Sequence, residues 1–179
     1  MSFANLSTKR QRIAALARAK RGAALSTLHH VIDLEWMKEA WRLTRKDGAP
    51  GIDGMAAVDY AKNLEANLLD LLGRIKSGRY QAPPVRRAYI PKADGSRRPL
   101  GLPTLEDKVA QRAIVMVLEA VYEQDFLTCS YGFRPGRSAH QALQDLRTGF
   151  MSHGLRWVLD IDLVKYLDCD SYCTPAYAN

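Results

Sequence analysis

The sequence predicts an α+β chain that is rich in helices and carries one β-hairpin and one short buried strand. Three observations support this fold class. Apolar residues recur at helical spacing in several segments, an Asp-Gly pair separates two short runs with a different period, and an apolar run near residue 160 contains acids. The 179 residues are 47% hydrophobic and 25% charged, which is enough for a packed core.

Five helices are predicted from apolar periodicity and from the residues that begin and end helices. The second predicted helix ends at the Gly/Pro cluster at 46–51. The third ends at Ser77-Gly78, where glycine suits the C-terminus of a helix. Thr104 and Ser138 are typical first caps of the helices that follow them. The predicted helices cover residues 9–21, 34–46, 57–76, 104 to about 124 and 138 to about 150.

Residues 85–102 are predicted to form a hairpin with Asp94-Gly95 at the centre of its turn. This centre would place Lys92 roughly opposite Arg97, with Arg98 next to it. Like charges that face each other destabilise a strand pair, so a hairpin that keeps three of them is suited to holding an anion. A nucleotide triphosphate or a nucleic-acid backbone would fit. The alternative is an exposed tip kept soluble by its charge.

The net charge of +7 is concentrated in two clusters. Six cations precede the first acid, Asp33, and a second cluster lies in the predicted hairpin. Clustered basic charge is typical of a protein that binds a polyphosphate, although a solvated basic face is the alternative. The cations of the two clusters are Lys9, Arg10, Arg12, Arg18, Lys20 and Arg21, then Arg86, Arg87, Lys92, Arg97 and Arg98.

A Gly/Pro-rich loop at 130–138 carries two arginines just before a predicted helix start. Backbone N–H groups and the helix dipole at such a start favour phosphate. The aromatic rings of Tyr131 and Phe133 could stack on a base or ribose. A purely structural turn, anchored by these rings, is the alternative.

Asp160 and Asp162 lie in an apolar run at 156–163 that is predicted to be a buried strand, and Asp168 follows it. Alternate residues of a strand share a face, so the first two carboxylates would lie side by side. Buried acids are costly unless they are paired or bind metal, and paired carboxylates suit the two-metal chemistry of phosphoryl transfer. Solvent-facing acids on an edge strand are the alternative.

The three cysteines indicate neither a disulfide framework nor a zinc site. No segment approaches the roughly 20 apolar residues of a membrane span, and the N-terminus has no signal-peptide core. We therefore expect a cytoplasmic protein without a membrane partner.

Four sequence blocks together resemble group II intron-encoded reverse transcriptase/maturases. Gly51-Ile52-Asp53-Gly54 resembles their extra N-terminal motif, and residues 89–104, from Tyr-Ile-Pro-Lys to Gly-Leu-Pro-Thr, resemble their first polymerase block. Residues 130–143, beginning Ser-Tyr-Gly-Phe-Arg-Pro-Gly-Arg-Ser, resemble the second block, and Trp157-Val158-Leu159-Asp160-Ile161-Asp162 resembles the opening of the third. The resemblance covers roughly residues 35–168, and four ordered blocks are more specific than any single motif.

This resemblance implies the fingers and the beginning of the palm of a right-hand polymerase. Residues 1–33 would be a basic helical extension, 34–155 the fingers, 156–168 a truncated first palm strand, and 169–179 a divergent tail. The implied function is RNA-directed DNA polymerisation with Mg²⁺, acting on an RNA template, intron RNA, a DNA primer and deoxynucleoside triphosphates (dNTPs).

The resemblance also implies roles for single residues. Lys92 and Arg98 match the residues that grip the triphosphate of the incoming nucleotide. Asp162 matches the first metal-binding and catalytic aspartate, and Ile161 or Leu163 would add a backbone carbonyl to the metal. The residues implied in nucleic-acid binding are Lys9, Arg10, Arg12, Arg87, Arg97, Arg134 and Arg137.

The sequence departs from the family pattern near its end. Leu167 stands where the family has the second of two aromatic residues, which blocks the ribose 2′-hydroxyl. After Asp168 the match ends, and neither the second aspartate block nor a thumb follows within the 179 residues. We therefore expect a frameshift or premature stop and no polymerase activity from this chain alone. A non-catalytic RNA-binding remnant of a maturase is the alternative.

Overall fold

The computed structural model describes residues 2–25, 28–93 and 95–163, which divide into a unit within 2–121 and a second within 122–163. The elements confirm a helix-rich α+β chain with one β-hairpin. No helix in these described ranges is long and apolar enough to cross a bilayer. In chain order the elements are α1 (Ser2–Ala19), a 3-10 helix (Leu28–Val31), α2 (Leu34–Leu43), α3 (Ala57–Lys62), α4 (Leu64–Lys76), β1 (Arg86–Pro91), β2 (Arg97–Leu102), α5 (Leu105–Tyr122) and α6 (Ala139–His153).

The core of the first unit lies among α2, α4 and α5. Trp36 of α2 is fully buried, and its indole Nε1 donates to the carbonyl of Ala113 in α5 at 2.9 Å. Leu68 and Leu71 of α4 and Met116 of α5 are also fully buried. Each such side chain contributes about 1.5–3 kcal/mol through its removal from water. The hairpin comes between α4 and α5, two of the helices that form this core, in the chain.

The basic N-terminal helix α1 packs onto this core. Leu6 and Ile13 of α1 belong to the buried cluster, and Lys9 forms an ion pair with Asp33, the N-cap residue of α2. Burial opposes ionisation of Asp33, but hydrogen bonds from Lys9 and from the Trp36 backbone outweigh it and lower the pKa of this carboxyl. The N-terminal segment is therefore part of the first unit, while its predicted role as a separate extension stays a prediction.

The single helix predicted over 57–76 is wrong, because the chain breaks at Asn63 into α3 and α4. The break lets Tyr60 stack on Trp41, with ring centroids 5.3 Å apart, and Asn67 Nδ2 donates to the Tyr60 carbonyl at 2.9 Å. Helix α2 likewise ends at Leu43 rather than at residue 46. There, Lys46 Nζ donates to three carbonyls at the helix end, those of Trp41, Arg42 and Thr44.

Tyr60 is only 5% exposed, and its hydroxyl has no hydrogen-bond partner among the residues that the structure describes. We expect Tyr60→Phe to raise the free energy of unfolding by about 1 kcal/mol, because it removes a buried unpaired hydroxyl. Urea denaturation at pH 7 measures this. Tyr122→Phe, at a half-exposed tyrosine, is the matched control and should leave stability unchanged.

Tyr60 also makes the free energy of unfolding depend on pH in the alkaline range. Burial, aided by the nearby Glu106 carboxylate, raises the pKa of Tyr60 to about 12 from the usual 10. The unfolded chain therefore loses this proton first, and the wild type loses stability between pH 10 and 12. In Tyr60→Phe, the part of the fall in stability between pH 10 and 12 that comes from this hydroxyl should be absent. A variant less stable than the wild type at pH 7 would show that the hydroxyl is bonded.

The buried strand predicted at 156–163 is wrong for the structure. Residues 154–163 have no regular secondary structure, and Trp157, Leu159 and Ile161 are 93%, 82% and 72% exposed. A strand needs a neighbour for its backbone groups, and the two strands of the described chain, β1 and β2, pair with each other. The remainder of the predicted palm segment, with Leu167 and Asp168, lies outside the described residues.

Candidate nucleotide and nucleic-acid site

The register of the hairpin decides which cations share a face. Strands β1 and β2 are antiparallel, and Ile90 pairs with Arg98 and Pro91 with Arg97. Beyond the strands, the Lys92 N–H donates to the Ser96 carbonyl at 2.8 Å. Lys92 therefore lies opposite Ser96, and the prediction that it lies opposite Arg97 is wrong by one residue.

The shift arises from the turn. The Gly95 N–H donates back to the Lys92 carbonyl at 3.1 Å, and Gly95 has a φ of 81°, a left-handed conformation that suits glycine. Three residues thus separate the closing pair Lys92 and Ser96, as in a three-residue hairpin turn, rather than the two residues of a turn centred on Asp94-Gly95. A shift of one residue changes which side chains share a face.

The observed register sorts the cations of the hairpin onto two faces, because directly opposite residues share a face and successive residues alternate. All five cations are exposed, and Lys92, Arg97 and Arg98 form no ion pair with a residue that the structure describes. We call one side the lysine face; it carries Arg86, Ala88, Ile90, Lys92, Arg98, Leu100 and Leu102. The other is the tyrosine face, which carries Arg87, Tyr89, Pro91, Arg97, Pro99 and Gly101.

In the second unit, Arg134 braces its own loop. Its guanidinium contacts the Glu123 carboxylate through Nε at 2.9 Å and Nη2 at 2.6 Å, and Nη1 donates to the carbonyls of Leu127 and Ser130. The same group lies 4.9 Å from the Phe126 ring centroid, and the side chain is 8% exposed. Arg134 thus has an internal structural role, and its contact with nucleic acid stays a prediction; Arg137 is the arginine of this loop that we consider for RNA.

The rest of this loop presents aromatic rings beside Arg137. The Arg137 guanidinium lies 5.5 Å from the Tyr131 ring centroid, and the Tyr131 hydroxyl donates to Asp145. Phe133 is fully exposed at a φ of 56°.

The predicted cap of α6 is confirmed as a capping box between Ser138 and Gln141. The Gln141 N–H donates to Ser138 Oγ at 3.3 Å, and the Ser138 N–H donates to Gln141 Oε1 at 2.8 Å. Two of the N–H groups at this helix start therefore already have side-chain acceptors, which leaves fewer of them for the phosphate that the sequence suggested.

The candidate metal residues are exposed. Asp160 and Asp162 lie in the irregular segment, so the shared strand face predicted for them is not formed. The carboxylate of Asp162 and the carbonyls of Ile161 and Leu163 are the hard oxygen donors that Mg²⁺ prefers. The described ranges hold no group of three or more acidic, histidine or cysteine side chains that could bind a metal ion. These residues therefore do not complete a magnesium site by themselves.

The three candidate cations of α1 have different surroundings. Lys9 is ion-paired with Asp33, and the Arg10 guanidinium lies 5.9 Å from the Trp36 ring centroid. Arg12 is exposed. Arg12 is thus the residue of the three that is most available to a polyanion.

Comparison with known proteins places the chain in a class. Residues 90–168 match the sequence model of the family described as reverse transcriptase (RNA-dependent DNA polymerase). This match includes the end of β1, the turn and β2 of the hairpin, then α5, the loop at 130–138, α6 and both exposed aspartates. The chain is therefore a reverse transcriptase-family protein.

Similar proteins indicate which kind of reverse transcriptase the chain resembles. The chain is 44% identical over 140 residues to protein YkfC of Escherichia coli, 41% over 105 residues to the group II intron-encoded protein LtrA of Lactococcus lactis, and 38% over 111 residues to an uncharacterized 91 kDa protein in the cob intron of Schizosaccharomyces pombe. These alignments cover 75%, 58% and 62% of this chain, but only 37%, 17% and 14% of the relatives. The chain belongs to the group II intron-type reverse transcriptase/maturases.

Proposed function

We propose that this chain contributes the nucleotide-gripping fingers and the first palm aspartate of an RNA-directed DNA polymerase. The observation that carries this proposal is the placement of Lys92 and Arg98 on one exposed face of the hairpin. Both cations approach a single anion from the same side, which the register expected from the sequence would not allow.

The two cations suit a triphosphate in different ways. Arginine presents a planar fork that can bind two phosphate oxygens at once, whereas lysine supplies a compact charge with three donors. In the proposed reaction a primer 3′-oxygen attacks the α-phosphorus and pyrophosphate leaves. Lys92 and Arg98 would hold the β- and γ-phosphates in place and neutralise the charge that develops on the leaving group.

Magnesium is part of this proposal through Asp162, with the carbonyl of Ile161 or Leu163. These oxygens would supply one side of a metal site, and further carboxylates are needed to complete it. We therefore propose that the 179-residue chain does not polymerise by itself. Leu167 would line the sugar of the nucleotide.

The nucleic acids would be an RNA template, intron RNA and a DNA primer, and the protein would act in the cytoplasm. Cations on two elements and one loop are the proposed phosphate contacts, because each neutralised phosphate releases counterions. These contacts are Lys9, Arg10 and Arg12 of α1, Arg87 and Arg97 of the hairpin, and Arg137 of the loop at 130–138.

A hybrid protein tests this proposal. Residues 1–163 are joined to the part of the Lactococcus lactis relative that follows its matching segment, and DNA synthesis on an RNA template is measured with Mg²⁺. We expect synthesis by the hybrid and none by the 179-residue chain. Asp162→Asn should abolish synthesis, while Asp59→Asn, at an exposed carboxylate of α3, should not. A folded hybrid that synthesises DNA equally well with and without the Asp162→Asn substitution would contradict the proposal.

A second candidate is a non-catalytic RNA-binding module. The observation in its favour is the exposed, irregular segment that carries Asp160 and Asp162, together with the basic helix α1. Such a module would shift structured RNA at low salt and lose affinity steeply as salt rises. RNA binding by a hybrid that makes no DNA would favour this candidate.

A further inference from the structure

The tyrosine face of the hairpin has a chemistry that the lysine face lacks. Both faces carry cations, but the lysine face has aliphatic side chains between them. On the tyrosine face, the half-exposed aromatic ring of Tyr89 lies directly opposite Pro99. A tyrosine and a proline paired across two strands form a flat apolar surface.

Two arginines bracket this surface. Arg87 precedes Tyr89 by two residues on β1, and Arg97 lies opposite Pro91, which follows Tyr89 by two residues. At about 3.4 Å per residue, the two arginines are roughly 14 Å apart along the strands. One stacked nucleic-acid strand carries one phosphate per about 3.4 Å of helix axis, so a gap of this length spans about four nucleotides and can hold a base together with phosphates on either side of it.

We propose that Tyr89 stacks on an unpaired RNA base while Arg87 and Arg97 hold the phosphates beside it. An aromatic ring on an exposed sheet, between cations, binds single-stranded RNA in this way, because every base has a π-face. The hairpin then holds two polyanions at once, a nucleotide on the lysine face and an RNA strand on the tyrosine face. This inference rests on the proposed function in taking RNA as the partner.

Two features favour RNA over a protein partner. The apolar part of the face consists of one tyrosine and two prolines, which is far smaller than a stable protein interface. The cations at both of its ends match a phosphate backbone.

Paired RNA ligands test the stacking. A fluorescent single-stranded RNA and the same RNA with abasic sites at its centre are titrated into the full 179-residue chain at low salt. We expect the wild type to prefer the RNA with bases by about tenfold, since stacking on an aromatic residue is worth that much per base. Tyr89→Ala should lose this preference, and Tyr89→Trp should keep it.

Tyr122→Ala, at another half-exposed tyrosine, is the matched control and should bind both RNAs like the wild type. A Tyr89→Ala protein that still prefers bases overturns the inference. Equal weakening of both RNAs also overturns it, because it would mean that Tyr89 supports only the fold of the hairpin.

Nucleotide binding by the unmodified chain is scored separately. If the chain fails to bind dNTP but Tyr89→Ala loses the preference for bases, the nucleotide role fails and the stacking role stands. If dNTP binds and the preference persists in Tyr89→Ala, the stacking role fails and the nucleotide role stands.

Discussion

Replacing Arg134 with methionine is expected to lower the free energy of unfolding of the second unit by about 3 kcal/mol, the usual cost of breaking a buried ion pair. Methionine keeps most of the volume of the side chain but none of its donors. The variant loses the hydrogen bonds to the Glu123 carboxylate and those to two carbonyls. Amide hydrogen exchange over residues 123–134, compared between variant and wild type, measures the loss.

Two variants make this expectation specific. Arg137→Met removes a neighbouring arginine whose guanidinium lies over the Tyr131 ring and forms no ion pair with a residue that the structure describes, and it should cost less than about 1 kcal/mol. Arg134→Lys should recover little, because one ammonium group cannot replace a fork that reaches a carboxylate and two carbonyls at once. Equal amide exchange rates in Arg134→Met and Arg137→Met would rule out a stabilising role of Arg134 in this loop.

Arg98→Gln is expected to weaken dNTP binding about tenfold. A hydrogen bond to a charged group is worth about 1.5–3 kcal/mol, and 1.4 kcal/mol corresponds to a factor of ten. Titration of a fluorescent dNTP into the 179-residue chain measures the affinity.

The neighbouring residue supplies the control. Arg97→Gln makes the same change in charge one residue away, but on the opposite face of the hairpin. We expect it to weaken dNTP binding by no more than about twofold, through the lost net charge alone. An equal loss of dNTP affinity in the two variants would mean that binding depends only on the overall charge of the hairpin.

Local signals in the sequence were enough for much of the fold. The spacing of apolar residues predicted α2 and α5, and the caps Thr104 and Ser138 are where the sequence indicated. The Asp107 N–H donates to Thr104 Oγ1 at 3.2 Å, and Ser138 forms its capping box. These features depend on residues three or four positions apart, which is the range over which sequence patterns are informative.

Contacts between distant residues decided the features that were missed. The break at Asn63 accompanies the stacking of Tyr60 on Trp41, nineteen positions away, and no periodicity reveals it. The segment at 156–163 has the composition of a strand, but composition does not supply the neighbouring strand that it needs.

In the candidate site, too, local sequence predicted some features and contacts between more distant residues decided others. Sequence patterns indicated which cations of the hairpin to consider, but their sharing of a face depended on a turn one residue longer than expected. Alternation along β1 places Arg87, Tyr89 and Pro91 on one face, but the turn decides that Arg97 joins them, so the sequence did not indicate the proposed stacking role of Tyr89. The role of Arg134 could not be predicted, since its partner Glu123 is eleven residues away in an irregular segment.

The dependence of hybrid activity on dNTP concentration tests the central claim most directly. RNA-templated DNA synthesis by the hybrid is measured with Arg98→Gln and with Arg97→Gln, each at saturating primer and template. We expect KM for dNTP to rise about tenfold in Arg98→Gln and no more than about twofold in Arg97→Gln. A hybrid that synthesises DNA with the same KM in both variants would contradict the assignment of the lysine face to the nucleotide.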